Sequence, residues 1–255
     1  MKLIQRHGYI EFLRRNRERS IIKVVSGIRR CGKSTLFRLF KDELLAEGVK
    51  PEQIISINFE ELEYEPLRDY HRLYQYILNQ MQPNQMNYIF LDEIQHVDQF
   101  HRVVDSLFVK ENTDIYITGS NAYFMSSDIA TLLTGRYVEI QMLPLSFAEF
   151  YYSKYEEQQY SLIPAYEAYL RESSFPYTQQ LGGEDFDIQE YLRGLYNTLL
   201  LHDVVARLKI NDVTMLQDIV RYIMANVGSL LSPNKIAKSL VSAGRKIDNK
   251  TVERY

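Results

Sequence analysis

The amino-acid sequence predicts an α/β protein in which helices cover a parallel sheet, with a helical region after it. Two observations carry this prediction. Short apolar runs alternate with amphipathic stretches as far as Pro144, and beyond that residue only helical patterns continue. Strands of a covered parallel sheet are apolar throughout because both faces are buried, whereas a surface helix is apolar on one side only. The candidate strands are 21–26, 54–59, 88–91, 114–118 and 137–143.

Helical periodicity fills the intervals between these strands and then continues to the end of the chain. The candidate helices of the sheet region are 33–46, 70–81, 100–109 and 127–133. The later candidates are 147–155, 165–171, 188–208 and 215–226. We therefore divide the chain into a core of residues 1–150, a helical lid-like region of residues 151–227 and a partial helix-turn-helix module of residues 228–255.

Composition excludes several classes of protein. The chain has 255 residues, of which 45% are hydrophobic and 25% charged, which is typical of globular domains and unlike disordered chains. No apolar run approaches the roughly 18 to 20 residues that a bilayer span requires, and the first residues lack a secretory signal. A single cysteine cannot form an intramolecular disulfide or a multi-cysteine zinc site. We expect a cytoplasmic protein with no membrane partner.

A phosphate-binding motif lies between the first strand and the first helix. The segment Gly27-Ile-Arg-Arg-Cys-Gly-Lys-Ser34 matches the pattern G-x-x-x-x-G-K-[ST]. Its glycines allow the backbone to curl so that N–H groups and the helix N-terminus face phosphate oxygens. Lys33 reaches the β- and γ-phosphates, and the Ser34 hydroxyl is a ligand for Mg²⁺. The predicted ATP-binding residues are Gly27, Ile28, Arg29, Arg30, Cys31, Gly32, Lys33, Ser34 and Thr35.

Two acids follow the third strand and complete the predicted site. We assign Asp92 to the Mg²⁺ shell and Glu93 to the general base that polarises the attacking water. A glutamate directly after the Walker B aspartate is a mark of the additional-strand class of NTPases, in which a further strand separates the two motif strands. The strand before Gly119 fits that place, and Ser120 or Asn121 at its end is a candidate sensor of the γ-phosphate. The same residues, Gly-Ser-Asn, are equally typical of a turn, so a turn without a sensor is the alternative.

Four segments together resemble one family. They are Gly27-Ile-Arg-Arg-Cys-Gly-Lys-Ser-Thr35, Phe90-Leu-Asp-Glu-Ile-Gln95, Ile117-Thr-Gly-Ser-Asn121 and Leu133-Thr-Gly-Arg-Tyr-Val-Glu-Ile-Gln-Met-Leu-Pro-Leu-Ser-Phe-Ala-Glu-Phe150. The chain resembles the predicted AAA-superfamily ATPases of bacteria and archaea, which are related to archaeal ATPases and signal-transduction NTPases. The resemblance is close over residues 1–150 and looser beyond. It implies a three-layer P-loop NTPase fold of the AAA type, with five parallel strands.

The resemblance also implies roles for two polar residues outside the motifs. Arg136 lies between the fourth helix and the fifth strand, where AAA-type ATPases commonly carry an arginine that reaches the γ-phosphate of a neighbour. This placement implies a homo-oligomer, and the alternative is a surface salt bridge. Asn58 ends the second strand, where similar asparagines hydrogen-bond the catalytic glutamate in a resting state.

Two departures limit what the resemblance carries over. Members of the family usually have a Gly-Gly-Phe-Pro turn where this chain has Ser173-Ser-Phe-Pro176. Longer members continue into a nuclease-like region that this sequence does not contain, so we predict no nuclease activity for these residues.

The C-terminal segment has the spacing of a helix-turn-helix. Ser232 and Pro233 begin one helix, Gly244 ends it, and a second helix starts after Asp248. Basic residues predominate here, which suits a DNA backbone, although packing or protein contacts explain the module equally well. The second helix has about two turns and no wing, so we expect the sequence to be a fragment that ends inside a winged-helix module. The bases are Lys235, Lys238, Arg245, Lys246, Lys250 and Arg254.

These observations favour an ATP-hydrolysing AAA-type switch that uses Mg²⁺ and acts on DNA through residues 232–255 or on a protein partner. One alternative is a signalling NTPase that binds ATP tightly, turns over slowly and passes its output to a protein partner. Another is a DNA-binding regulator with a vestigial ATP site. That alternative requires a damaged site, and Lys33, Ser34, Asp92 and Glu93 are all intact.

Overall fold

The computed structural model of the chain describes residues 4–120, 133, 135–155, 160–181, 185–205, 210 and 212–255. Five strands form one parallel sheet, as the sequence predicts. They are β1 (Ile22–Gly27), β2 (Ile54–Asn58), β3 (Asn87–Asp92), β4 (Thr113–Ser120) and β5 (Tyr137–Met142). The helices of this part are α1 (His7–Asn16), α2 (Lys33–Ala46), α3 (Tyr70–Gln80) and α4 (Phe100–Phe108).

Strand order decides which loops meet at the edge of the sheet. The order is β2-β3-β4-β1-β5, so β4 separates the strand of the phosphate motif from the strand that ends in acids. The predicted additional-strand arrangement is therefore confirmed. Register places Gly27 opposite Ser120 and Asn58 opposite Asp92 at the carboxyl ends of these strands. Ligands of open parallel sheets bind outside those ends.

Apolar side chains on the two faces of the sheet form two separate clusters. Strand residues alternate between them, because neighbouring side chains of a strand point to opposite faces. On one face α3 and α4 supply Leu73, Ile77, Val104 and Leu107. On the other face α1 and α2 supply residues that pack on the aromatic rings of the central strands, namely Ile10, Leu13, Leu36, Phe37, Phe40 and Leu44. The result is the predicted three-layer α/β arrangement.

Helix α1 is a feature that the sequence patterns did not predict. Its buried residues are Ile10, Leu13 and Asn16, which form a narrow inner face within a strongly basic segment. The predicted helix 127–133 lies outside the described residues, except for Leu133. Predicted and observed bounds of α2 coincide, and those of α3 and α4 differ by one residue.

A group of short helices follows β5 within the same compact unit. They are α5 (Phe147–Tyr155), α6 (Leu162–Glu172) and the 3₁₀ helix Pro176–Gln180. Leu145, Phe150 and Ala168 form their small core, and the Tyr169 hydroxyl donates to the Leu145 carbonyl at 2.8 Å. These helices therefore pack on the residues that directly follow β5.

The chain divides into two compact units, Met1–Ile188 and Gln189–Tyr255. Helix α7 (Asp185–Asn197) spans that division and continues into the π-helical stretch Thr198–Val205. These two units differ from the three domains that the sequence predicts. The three-domain division stays a prediction. In the described part of the chain, no helix combines the length and the apolar character needed to cross a bilayer.

The second unit contains three further helices around a core of its own. They are α8 (Val213–Ala225), α9 (Pro233–Ser242) and α10 (Asn249–Arg254). Ser232 and Asp248 cap the last two helices, accepting the backbone N–H of Lys235 at 3.2 Å and of Thr251 at 2.7 Å. The predicted helix starts are therefore correct, and a winged-helix fold remains a prediction. The core residues are Met215, Ile219, Ile236, Ala237, Leu240 and Val252.

Candidate functional site

The predicted phosphate loop joins the buried strand β1 to the first turn of α2. Strand β1 is buried along its whole length, and α2 begins directly after Gly32. Gly32 has φ of +106° and Arg30 has φ of +66°, so the loop curls through left-handed backbone conformations at two positions. Such a curl ahead of a helix N-terminus turns backbone N–H groups toward one point, as an anion site requires.

Gly27 is needed because of a close approach between two strands. A Cβ atom at this position would lie 2.4 Å from the carbonyl oxygen of Met142 and 3.0 Å from the Cys31 sulfur. The Met142 oxygen belongs to the backbone at the end of β5, so it cannot turn away as a flexible side chain can. Only a glycine fits where the loop leaves β1.

Cys31 points into the protein from the middle of the loop. Its side chain is fully buried in the cluster beneath α2, and burial raises the pKa of its thiol. Cys31 is among the predicted ATP-binding residues, and this orientation leaves only its backbone to face a ligand. Arg30 is exposed, by contrast. The Arg29 guanidinium forms an ion pair with Glu60, with 3.4 Å between Nη1 and Oε1.

Lys33 lies buried between the loop and the acids of β3. Its Nζ atom donates to the carbonyl oxygens of Gly27 at 3.1 Å and Ile28 at 3.5 Å. The same atom forms an ion pair with Glu93 Oε1 at 3.1 Å, and both side chains are less than a tenth exposed. The sequence-predicted cation and general base are therefore in direct contact.

Asp92 is held by hydroxyl groups from two neighbouring elements. The Thr118 hydroxyl donates to Asp92 Oδ1 and accepts the backbone N–H of Glu93 at 2.9 Å. Ser34, the first residue after Lys33 on α2, also hydrogen-bonds the Asp92 carboxyl. Burial raises the pKa of Asp92, and these two hydrogen bonds oppose that shift. Sequence reasoning missed Thr118, and its place on the strand beside the acids is the signal that could have found it.

The backbone of Glu93 turns sharply, and a nearby amide holds its side chain. Glu93 has φ of 54° and ψ of 48°, an uncommon left-handed conformation for a residue with a side chain. Gln95 Nε2 donates to Glu93 Oε2 at 2.5 Å. With Lys33 on Oε1, both carboxylate oxygens have a partner.

Asn58 does not hold Glu93, which corrects the expectation from the sequence. Its Nδ2 donates to Glu61 Oε1 at 3.2 Å, and its Oδ1 accepts the backbone N–H of Glu60 at 3.1 Å. Asn58 stands opposite Asp92 in the sheet, and the turn after β2 binds its amide instead. Gln95 makes the hydrogen bond to Glu93 that was expected of Asn58.

Ser120 lies at the edge of the sheet beside the phosphate loop. It pairs with Gly27 across the β4–β1 ladder and is almost fully buried. Its hydroxyl has no hydrogen-bond partner among the described residues. Buried hydroxyls are usually hydrogen-bonded, so the Ser120 hydroxyl is free to bind a group that approaches this edge of the sheet. Asn121, the alternative sensor, lies outside the described residues.

Arg136 lies at the other end of the sheet. Its carbonyl accepts the Ile22 N–H at the start of β1, and Tyr137 begins β5. The guanidinium is half-exposed, 3.9 Å from Asp105 and 5.6 Å from the centre of the Phe108 ring. Because the phosphate loop follows the opposite end of β1, Arg136 is not part of the site of its own chain.

The oxygen atoms at this edge suit a hard divalent cation. Ser34 and Asp92 present a hydroxyl and a carboxylate that already contact one another. Mg²⁺ prefers such ligands and takes few of them from protein, completing its shell with phosphate oxygens and water. The residues therefore fit the predicted metal.

An apolar cavity adjoins the loop on the side of α2. Its walls include Thr35, Leu36, Leu39, Met142, Leu145 and Gln180.

Comparison with known proteins places this site in a family. The family described as AAA domain matches residues 19–151. An uncharacterized protein of Haemophilus influenzae is 37% identical over 256 residues, covering 99% of this chain and 63% of that protein. An uncharacterized protein of Methanocaldococcus jannaschii is 32% identical over 251 residues, covering 92% of this chain and 53% of that protein. The chain thus spans less than two thirds of the length of either relative.

A solved structure shares the fold. The Walker-type ATPase of Pyrococcus abyssi superposes with a TM-score of 0.63, covering 98% of this chain and 87% of that one. Sequence identity is 17%, so the likeness establishes the architecture alone.

We predict that Gly27→Ala will disrupt the loop, because the added methyl group meets the Met142 backbone. Loss of about 2 kcal/mol or more of unfolding free energy, measured by denaturant titration, is expected from such overpacking. Gly8→Ala is the matched control, since nothing lies within 4 Å of the added Cβ. Equal stability of the two variants would contradict the close approach.

Proposed function

The chain belongs to the AAA domain family, and from this premise we propose that it binds ATP with Mg²⁺ and hydrolyses it as a nucleotide-driven switch. One observation carries the proposal. The carboxyl ends of β1, β3 and β4 bring Lys33, Ser34, Asp92, Glu93 and Thr118 into one connected cluster beside the phosphate loop. A cation, a metal-binding oxygen pair and a carboxylate base are the groups that phosphoryl transfer to water requires.

Lys33 and the loop bind the phosphates in this proposal. Lys33 satisfies its charge with Glu93 and two loop carbonyls. Phosphate oxygens carry more negative charge and accept the same hydrogen bonds, so they compete for the Lys33 ammonium. Ser34 and Asp92 would hold Mg²⁺, which neutralises charge on the phosphates when bound.

Glu93 is the proposed general base. When Lys33 turns to the phosphates, Oε1 of Glu93 loses its ion-pair partner and becomes available to a water proton. The Thr118 hydroxyl fixes the backbone N–H of Glu93, and Gln95 fixes the second carboxylate oxygen. Ser120, whose buried hydroxyl beside Gly27 has no partner within the described part of the chain, is the candidate for sensing the γ-phosphate.

A slow-turnover signalling switch is the second candidate. The observation that favours it is that both carboxylate oxygens of Glu93 have a partner, Lys33 on one and Gln95 on the other. A base that must first lose its ion pair with Lys33 acts only after that contact rearranges, which slows each turnover. The vestigial-site alternative has less support, because every side chain of the cluster is present and in contact.

We further propose that the second unit contacts DNA. Helices α9 and α10 bury their apolar side and leave Lys235, Lys238 and Lys250 exposed. Exposed lysines on a capped helix pair suit the phosphate backbone. Arg245 contributes less, because it forms an ion pair with Asp218. A protein partner at the same face remains the alternative.

We predict that Lys33→Ala will abolish detectable ATP binding, because it removes the charge that holds the phosphates. Glu93→Gln will retain binding and lose hydrolysis by about a hundredfold or more, since the amide keeps the shape but cannot accept the proton. Isothermal titration calorimetry measures ATP binding, and release of phosphate in the presence of Mg²⁺ measures hydrolysis. The exposed residues Lys50 and Glu52 give the controls Lys50→Ala and Glu52→Gln. Undiminished binding by Lys33→Ala would rule out the loop assignment, and normal turnover by Glu93→Gln would remove Glu93 from the base role.

Arg136 is proposed to act on the site of a neighbouring subunit. Neither Arg136→Ala nor Glu93→Gln should hydrolyse ATP alone. An equimolar mixture should regain activity, because some interfaces then combine an intact Arg136 with an intact Glu93. Phosphate release by the mixture, at a concentration where wild type turns over, measures this effect. A mixture as inactive as its components would favour a monomeric mechanism.

Double-stranded DNA should stimulate phosphate release if the second unit couples DNA to the ATP site. The effect should weaken as salt rises, because phosphate contacts release counterions. Lys235→Ala/Lys238→Ala should lose the stimulation while basal turnover stays unchanged. Stimulation that persists in this variant would contradict the assigned face.

A further inference from the structure

Arg6 is a buried cation that the sequence analysis did not use. It precedes α1, is 4% exposed and has every guanidinium nitrogen engaged. Its Nε donates to Glu149 Oε1 at 2.6 Å, and one terminal nitrogen donates to the carbonyl oxygens of Leu143 at 2.9 Å and Pro144 at 3.3 Å. The other terminal nitrogen donates to the carbonyl oxygen of Cys31 at 3.3 Å. Arg6 therefore joins the turn after β5 to the phosphate loop.

Glu149 is fixed independently of Arg6. Its second oxygen accepts the Ser146 N–H at 2.8 Å and the Ser146 hydroxyl at 2.9 Å, and the Ser146 hydroxyl accepts the Glu149 N–H at 3.3 Å. This reciprocal pattern is a capping box at the start of α5. The carboxylate that balances the charge of Arg6 is thus held by a helix terminus rather than by a mobile surface side chain.

The contact with Cys31 has a consequence for the loop. In a planar trans peptide the C=O of one residue and the N–H of the next point in opposite directions. Arg6 holds the Cys31 carbonyl toward the N-terminal segment, so the N–H of Gly32 points away from it. The left-handed Gly32 then leads directly into α2, whose N-terminal N–H groups face the same anion site.

We propose that Arg6 is a positioning residue for the phosphate loop, which it orients through the Cys31–Gly32 peptide. The inference rests on the proposed function, because the oriented N–H serves a bound phosphate. It also goes beyond that function, since it makes loop geometry depend on the N-terminal segment and on α5. Tyr9 supports the arrangement: its ring lies 4.6 Å from the Arg6 guanidinium, and its hydroxyl accepts the Leu143 N–H at 3.2 Å.

The test compares Arg6→Met and Arg6→Lys with wild type, in the full chain and without nucleotide first. Amide hydrogen exchange of the segment 27–33 should be about tenfold faster in Arg6→Met and intermediate in Arg6→Lys, because a lysine keeps the charge but cannot make all the contacts of the fork. Arg14→Met is the matched control, since Arg14 is exposed and pairs with Glu43 on α2. Its exchange in segment 27–33 should equal that of wild type.

ATP affinity provides the second measurement. Arg6→Met should raise the Kd for ATP by about tenfold while turnover at saturating ATP stays within about twofold, and Arg6→Lys should recover part of the affinity. Wild-type exchange and wild-type affinity in folded Arg6→Met would overturn the inference. If Arg6→Met does not fold, Arg6→Lys against Arg14→Lys decides in the same way. Faster loop exchange in a chain whose wild type binds no ATP would leave the inference standing and refute the proposed function.

Discussion

The buried ion pair between Lys33 and Glu93 organises the edge of the sheet. Both side chains lie almost out of contact with water, so each needs a partner of opposite charge to be retained there. The pair joins the helix after β1 to the turn after β3. Only β4 lies between β1 and β3, so the two side chains can reach each other at the edge of the sheet. In the proposed function, a triphosphate offers Lys33 another anionic partner, so nucleotide binding would release Glu93 from this ion pair.

Much of this arrangement could be predicted from the sequence, because it depends on local patterns. Apolar runs located the strands, and the glycine-rich motif located the loop and the start of α2. Side-chain partners were harder, because they depend on register and on turns. Thr118 contacts Asp92 and Glu93 only because β4 lies directly beside β3. Glu93 has a left-handed backbone and its carboxylate accepts from Gln95, and nothing in residue types alone predicts that turn.

Charges were similarly difficult to interpret, since a run of charged residues usually faces water. Lys23 and Asp114 are fully buried and paired across β1 and β4, and the Tyr116 hydroxyl and the Glu18 N–H satisfy the remaining Asp114 oxygen. Burial lowers the pKa of Lys23 although the neighbouring carboxylate opposes the shift. Its partner is 91 residues distant in sequence, and Arg6 and Glu149 are 143 residues apart. Only strand order and the turn after β5 bring these groups together.

Strand β5 lies between Arg136 and the phosphate loop, the two places at which the proposed mechanism acts. It begins beside Arg136 and ends at Met142, whose carbonyl fixes the space for Gly27, and it pairs with β1 along its whole length. Arg6 then binds the carbonyls of the next two residues together with that of Cys31. A displacement of β5 at its first residue would therefore reach the phosphate loop through paired backbone rather than through flexible side chains. If Arg136 contacts a neighbour's nucleotide, the paired backbone of β5 and β1 connects that contact to the chain's own phosphate loop.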